Sequence, residues 1–130
     1  MNDIIADSIT RIRNASLRRQ EATKLLYSKT VESILGVLQA KGYIESFKAD
    51  ESEVKRYIDV FLKYDDDGRS AITEIKRVSK PGRRVYTSAK KVKKFKHGFG
   101  AIIISTSKGV LSNDDAHAQK AGGEALCSVW

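Results

Sequence analysis

The sequence predicts an α+β protein of two small subdomains, an N-terminal α-β-α-β-β unit followed by a mostly β unit with one short helix. Three observations predict it. Apolar residues recur at helical spacing in two stretches of the first half. The second half is dominated by β-forming runs broken by Pro and Gly. Between them lies Asp65-Asp66-Asp67-Gly68, a strong turn signal at which the charge of the chain changes character. That turn is the expected junction, giving subdomains 1–66 and 67–130.

Taken in order, residues 3–15 read as a helix. Ile5, Ile9 and Ile12 share one face, Asp3 and Asp7 suit the positive N-terminal end, and Arg11 and Arg13 suit the other. Thr23 to Ser28 reads as a short strand. A second helix over Lys29 to Ala40 carries the stripe Val31, Ile34, Leu35, Leu38, with Gly42 placed to end it. Tyr43 to Lys48 and Val54 to Tyr64 read as strands. The unbroken β-formers of the latter (Tyr57, Ile58, Val60, Phe61, Leu62) suggest cover on both faces.

Beyond the turn, Ile72 to Val78 and Arg84 to Thr87 read as strands around a Lys80-Pro81-Gly82-Arg83 turn. Ala101 to Ser105 is an apolar, buried strand. Ser112 is placed to cap a helix over Asn113 to Lys120, with Asp115 at its third position and Gly122-Gly123 at its end. Glu124 to Trp130 is the last strand.

The 130 residues are 41% hydrophobic, enough for a core, and 31% charged, with a net charge of +8. Residues 1–70 hold 12 basic and 12 acidic side chains, whereas 71–130 hold 12 basic and 4 acidic, so the whole +8 lies in the second half. From Ile75 through Asn113, 39 residues, there is no acid at all. Such a stretch builds a field of one sign, which attracts phosphates. Its charges alternate with Val78, Val85, Tyr86, Val92, Phe95 and Phe99, so it is expected to fold instead of trailing. The single cysteine, Cys127, precludes an intrachain disulfide and fits a reducing cytosol. No apolar run reaches the length of a signal peptide core or a membrane span, so a cytoplasmic protein is expected.

Within the acid-free stretch, Ser105-Thr106-Ser107-Lys108-Gly109 offers three hydroxyls, an ammonium and a glycine after a buried strand. Hydroxyls donate and accept, and so suit phosphates, ribose and base edges alike. The same residues match Ser-x-x-Lys of penicillin-recognising enzymes, but Ser112-Asn113-Asp114 has the wrong order for a partner motif of such an enzyme. Gly98-Phe99-Gly100 precedes a strand, where a nucleotide-binding loop would follow one. His97, His117 and Cys127 have no metal-ligand spacing, and the Asp65–Gly68 run lacks the terminal glutamate of a calcium loop. No metal, cofactor, small-molecule substrate or catalytic residue is expected. Lys90, Lys91, Lys93, Lys94 and Lys96 suit phosphate attraction without base reading. Tyr86, beside Arg83 and Arg84, suits either stacking on an unpaired base or a half-buried strand position.

These residues carry a resemblance. The chain is similar to the bacterial small-subunit ribosomal protein eight family in its opening Asp3-Ile4-Ile5-Ala6-Asp7-Ser8-Ile9-Thr10-Arg11-Ile12-Arg13-Asn14-Ala15, and in Ser79-Lys80-Pro81-Gly82-Arg83-Arg84-Val85-Tyr86. Gly98-Phe99-Gly100, Ser105-Thr106-Ser107-Lys108-Gly109-Val110 and Gly122-Gly123-Glu124-Ala125-Leu126-Cys127 follow in the expected order, so the match spans almost the whole chain. It departs at Ile4, where the family often has proline, at His117, often arginine, and at Ser128, often aromatic.

The resemblance implies a structural, non-enzymatic protein that binds the central domain of small-subunit ribosomal RNA and helps assemble the platform, touching small-subunit proteins five and twelve. It implies RNA contacts at Ser105, Thr106, Ser107, Lys108 and Gly109, with Tyr86 and Glu124 in support. Lysines 90–96 and Arg83 and Arg84 would then supply attraction, and the loop 105–109 the fit to an irregular RNA site. Glu124, the odd acid, would either accept from a base amino group or orient a nearby lysine. The rivals are an RNA-processing or nucleotide-using enzyme, which needs a general base or metal cluster, and a membrane-docking protein, which needs a basic amphipathic helix. The sequence offers neither.

Overall fold

The computed structural model describes residues 3–50, 52–54, 56–88 and 100–130. The chain divides into two compact units, residues 2–73 and 74–130. The division falls beyond the acidic turn, because an isolated bridge between Tyr64 and Ser70 closes that turn back on the first unit.

The first unit runs α1 (Ile4–Leu17), β1 (Ala22–Leu26), α2 (Lys29–Ala40), β2 (Ile44–Ala49) and β3 (Tyr57–Leu62). Its antiparallel sheet has the order β1-β3-β2. Asp3 caps α1 by accepting from the Ala6 N–H at 3.2 Å. Ile9, Ile12 and Ala15 of α1 and Val31, Ile34, Leu35 and Leu38 of α2 are buried, together with Leu25, Ile44, Ile58, Val60 and Leu62 of the strands. The helical spacing of these residues gives each helix one apolar stripe to lay against the sheet.

Two expectations are corrected here. β3 is not covered on both faces: Ile58, Val60 and Leu62 point into the core while Tyr57 and Phe61 stay exposed. The open face takes aromatic β-formers as readily as the core face does, so composition does not reveal it. In α1, the Arg11 Nε donates to Asp7 at 3.0 Å, one turn back, and the last turn holds no basic residue because the helix continues to Leu17.

The second unit contains β4 (Ile75–Arg77), β5 (Tyr86–Thr87), β6 (Ala101–Thr106), β7 (Gly109–Ser112), α3 (Asn113–Ala118) and β8 (Gly123–Val129). β8 is the axis of an antiparallel sheet. β6 pairs along one edge of it and is followed by β7, and both β4 and β5 pair with it. Ile75, Ala101, Ile103, Ile104, Leu126, Cys127 and Val129 are buried, and Ile104 packs on Ala116 of α3. Ser112 caps α3 by accepting from the Asp115 N–H at 3.4 Å. The helix ends at Ala118, and Gly122-Gly123 does not stop it. Lys120 takes the left-handed conformation (φ 53°), and Gly123 already belongs to β8.

The three helices among the described residues end alike. The Tyr43 N–H donates to Leu38 and that of Gly42 to Gln39; Gln20 and Arg19 do the same to Ala15 and Ser16, and Ala121 and Lys120 to Ala116 and His117. These are paired bonds over a left-handed residue, which glycine supplies in α2 but Arg19 and Lys120 supply in the others.

Candidate nucleic-acid interface

Ser105-Thr106-Ser107-Lys108-Gly109 is not the five-residue loop that the sequence suggests. β6 runs through Thr106 and β7 begins at Gly109, paired with it, so only Ser107 and Lys108 form the tip of a tight hairpin. The sequence hides β7 because its four residues run straight into the Ser112 cap of α3. Gly109 has φ 109°, a conformation that strains any side chain. The Thr106 hydroxyl donates to the Gly109 carbonyl at 2.7 Å and accepts from the Lys108 N–H at 3.0 Å. Thr106 therefore braces the tip from within. The Lys108 ammonium donates to the Gln119 carbonyl at 2.9 Å, at the C-terminal end of α3, where the helix dipole favours a cation. Ser107 and Lys108 are exposed at the tip.

Register brings the other expected residues to the same place. Tyr86 of β5 lies opposite Glu124 of β8, which lies opposite Ser105 of β6, so the three stand in one row across the sheet, on one face. Tyr86 is 71% exposed, an extended aromatic surface kept out of the core. A half-buried strand position was the alternative for this residue; the exposure removes it. Strands β6 and β8 approach closely in the neighbouring row: a Cβ on Gly123 would lie 1.9 Å from the Ser105 carbonyl oxygen. Only glycine fits there.

Glu124 orients an arginine instead of a lysine. Its Oε2 accepts from the Arg84 Nη1 at 3.0 Å and from the hydroxyl of Ser79. The Ser79 hydrogen bond, with Arg84 adding to it, holds the Glu124 carboxyl below the usual range despite opposition from burial. Arg83 is exposed in a tight turn, where the Lys80 N–H donates to the Arg83 carbonyl at 3.0 Å and the Arg83 N–H returns a bond to Lys80 at 2.9 Å. Lys90, Lys91, Lys93, Lys94 and Lys96 lie outside the described residues, as do His97, Gly98 and Phe99.

Three residues of this region carry weight that the sequence did not single out. Ser79 is fully buried beneath the Lys80–Arg83 turn. Gly123 allows the close strand approach. The buried Asn113 accepts from the Ile102 N–H at 3.0 Å and so ties the start of α3 to β6. The Gly-Gly pair, read in the sequence as the end of a helix, is the signal that could have revealed such an approach, while a serine before a turn and an asparagine after a cap are commonplace. Burial raises the Cys127 thiol to about 12, which leaves it inert as a nucleophile at neutral pH. Among the described residues, no three His, Cys, Asp or Glu side chains gather where they could hold a metal ion, and no helix is long and apolar enough to cross a membrane.

A braced hairpin tip, an exposed tyrosine and an oriented arginine, set in an acid-poor region, are groups whose chemistry suits an anionic partner with shape. Comparison with known proteins points the same way. Residues 3–130 match the family model described as ribosomal protein S8. The chain is 58% identical over 130 residues to a Campylobacter lari protein named small ribosomal subunit protein uS8, covering 100% of this chain and 99% of that one. Proteins of the same name from a Nitratiruptor species and from Campylobacter fetus are 62% identical over 133 residues and 59% over 130, with the same coverage.

Proposed function

Because this chain belongs to the ribosomal protein S8 family, and is thereby a structural constituent of the small ribosomal subunit, at work on the cytoplasmic ribosome, we propose that it binds the central domain of small-subunit ribosomal RNA directly and helps organise the platform during assembly. Residues 67–130 are the RNA-binding part. Ser105, Ser107, Lys108 and Gly109 form the contact edge, Thr106 braces it, and Tyr86 stacks on an unpaired base or sugar. Arg83, Arg84 and Lys90, Lys91, Lys93, Lys94 and Lys96 attract and hold phosphates. Glu124 keeps Arg84 in place. Neighbouring proteins of the subunit, five and twelve by family resemblance, complete the set of partners. The role is one of binding, with no chemical step.

The observation that supports this best is the coincidence of charge and shape. The half of the chain that carries all of the +8 also places Tyr86, Glu124 and Ser105 in one row beside a braced tip. A cation cloud alone would need no such scaffold, since phosphate attraction is indifferent to sequence. Filter binding of the folded chain to a central-domain RNA fragment and to a scrambled RNA of equal length tests it. At near-physiological salt the native fragment should bind about a hundredfold more tightly. Ser107→Ala should weaken that complex by about five- to tenfold and leave the scrambled RNA unaffected. Equal binding of both RNAs by the folded wild-type protein would remove the basis of the assignment.

A further inference from the structure

Ser79 stands outside the surface just described, yet the surface converges on it. Its side chain is fully buried, and its hydroxyl makes two bonds. It donates to Glu124 Oε2 on the central strand β8, and it accepts from the Val85 N–H at 3.1 Å. The Val85 carbonyl in turn accepts from the Ala125 N–H at 2.9 Å. Arg84 and Tyr86 flank Val85, and Arg84 shares the same Glu124 oxygen. One hydroxyl thus pins the segment bearing Arg84 and Tyr86 to the strand that faces Ser105.

β5 is only two residues long, too short for its own ladder to fix the approach of the chain from the Lys80–Arg83 turn. We propose that Ser79 is a positioning residue for RNA binding: its hydroxyl links Glu124 to the Val85 amide, and so holds Arg84 and Tyr86 in their RNA-ready places before RNA arrives. The proposal rests on the RNA-binding role argued above. Its physical basis is preorganisation. A segment already ordered in the free protein loses no ordering entropy on binding, whereas a loosened one does. Removing a buried hydroxyl also leaves a carboxylate oxygen and an amide short of partners.

The test uses the full-length chain, with wild type, Ser79→Ala, the paired Arg84→Ala/Tyr86→Ala variant and the triple variant titrated against the central-domain fragment and the scrambled RNA. Ser79→Ala should bind the native fragment about tenfold more weakly and the scrambled RNA at most about twofold more weakly, since a displaced Arg84 still attracts phosphates without reading sequence. Because Ser79 acts through Arg84 and Tyr86, the triple variant should lose little more than the Arg84→Ala/Tyr86→Ala pair alone. In the free protein, exchange of the Val85 amide should accelerate in Ser79→Ala while the amides of Ala101–Thr106 keep their protection. Should Ser79→Ala fail to fold, Glu124→Ala removes the same bond from its less buried end. Glu124→Gln keeps an oxygen for Ser79 and should retain the protection of Val85.

Wild-type affinity in Ser79→Ala, losses that multiply in the triple variant, or equal weakening of both RNAs would each overturn the proposal. If wild type itself failed to prefer the native fragment, the RNA-binding role would fall, and exchange at Val85 would still decide whether Ser79 orders this segment.

Discussion

At the scale of the residue, the side chains that organise the surface differ from those that present it. Ser105, Ser107 and Tyr86 announce themselves in the sequence by type and setting, because an exposed hydroxyl or aromatic among cations has few structural uses. Ser79 does not, and Glu124 stands out only as the odd acid of a basic region, because the value of both lies in a bond between residues 45 positions apart. Glu124 makes that bond measurable. Its carboxyl is held below the ordinary glutamate value, first by the Ser79 hydroxyl and then by Arg84. The ionised form is therefore favoured by folding. Its stabilising effect is complete above the unfolded pKa, about 4.3, and is lost as the pH falls from there through the lower folded value. Glu124→Gln should consequently be less stable than wild type at pH 7, and the gap between their thermal unfolding midpoints should close as the pH falls from the unfolded value through the lower folded one. A gap that stays constant across this range would mean that the charge of Glu124 contributes nothing to the fold.

At the scale of the element, legibility followed the strength of the periodic signal. α2 was legible to its ends, since Val31, Ile34, Leu35 and Leu38 keep helical register and Gly42 marks the stop. The apolar run of β6 was equally plain. β7 was not, because Gly109-Val110-Leu111-Ser112 is short and is followed at once by a helix cap; it is defined only by its pairing with β6. That omission made a five-residue loop of what is a two-residue tip, so the candidate site was given the wrong shape. Strand starts at Ile75 and Tyr86 were placed too early for a related reason: strand limits here are set by where β8 offers partners, which no local pattern encodes. The end of α3 was misplaced because a lysine, not a glycine, adopts the left-handed turn. That choice has a cost. A side chain at φ 53° is strained by about 1 kcal/mol relative to glycine. Lys120→Gly should therefore stabilise the protein by up to about 0.5 kcal/mol, after allowance for the added freedom of the unfolded chain. A higher urea midpoint with an unchanged slope would show it, and a lower midpoint would mean that the lysine side chain contributes more than its backbone costs.

At the scale of the whole molecule, the two halves divide labour by charge. A neutral first half and a second half carrying +8 give the chain a polar electrostatic character that its total alone conceals. For a partner that is a polyanion, the measurable consequence is ion release. Each cation that neutralises a phosphate displaces condensed counterions, and the logarithm of the binding constant then falls with the logarithm of salt by about 0.7–0.9 per contact. Two variants with the same net charge separate the location of the charge from its amount. In one, Lys90, Lys91, Lys93 and Lys94 become glutamine; in the other, Lys24, Lys29, Lys41 and Lys63 do. If the acid-free stretch carries the phosphate contacts, the first variant should flatten the salt dependence of RNA binding by about 3 and weaken native and scrambled RNA alike, since these lysines attract without reading. The second should leave the slope near that of wild type, because its lysines belong to a half in which acids balance bases. Both variants change the net charge equally, so a slope reduced to the same degree in each would show that attraction depends on the total charge alone. A reduction confined to the second variant would move the RNA-facing surface to the first half of the chain.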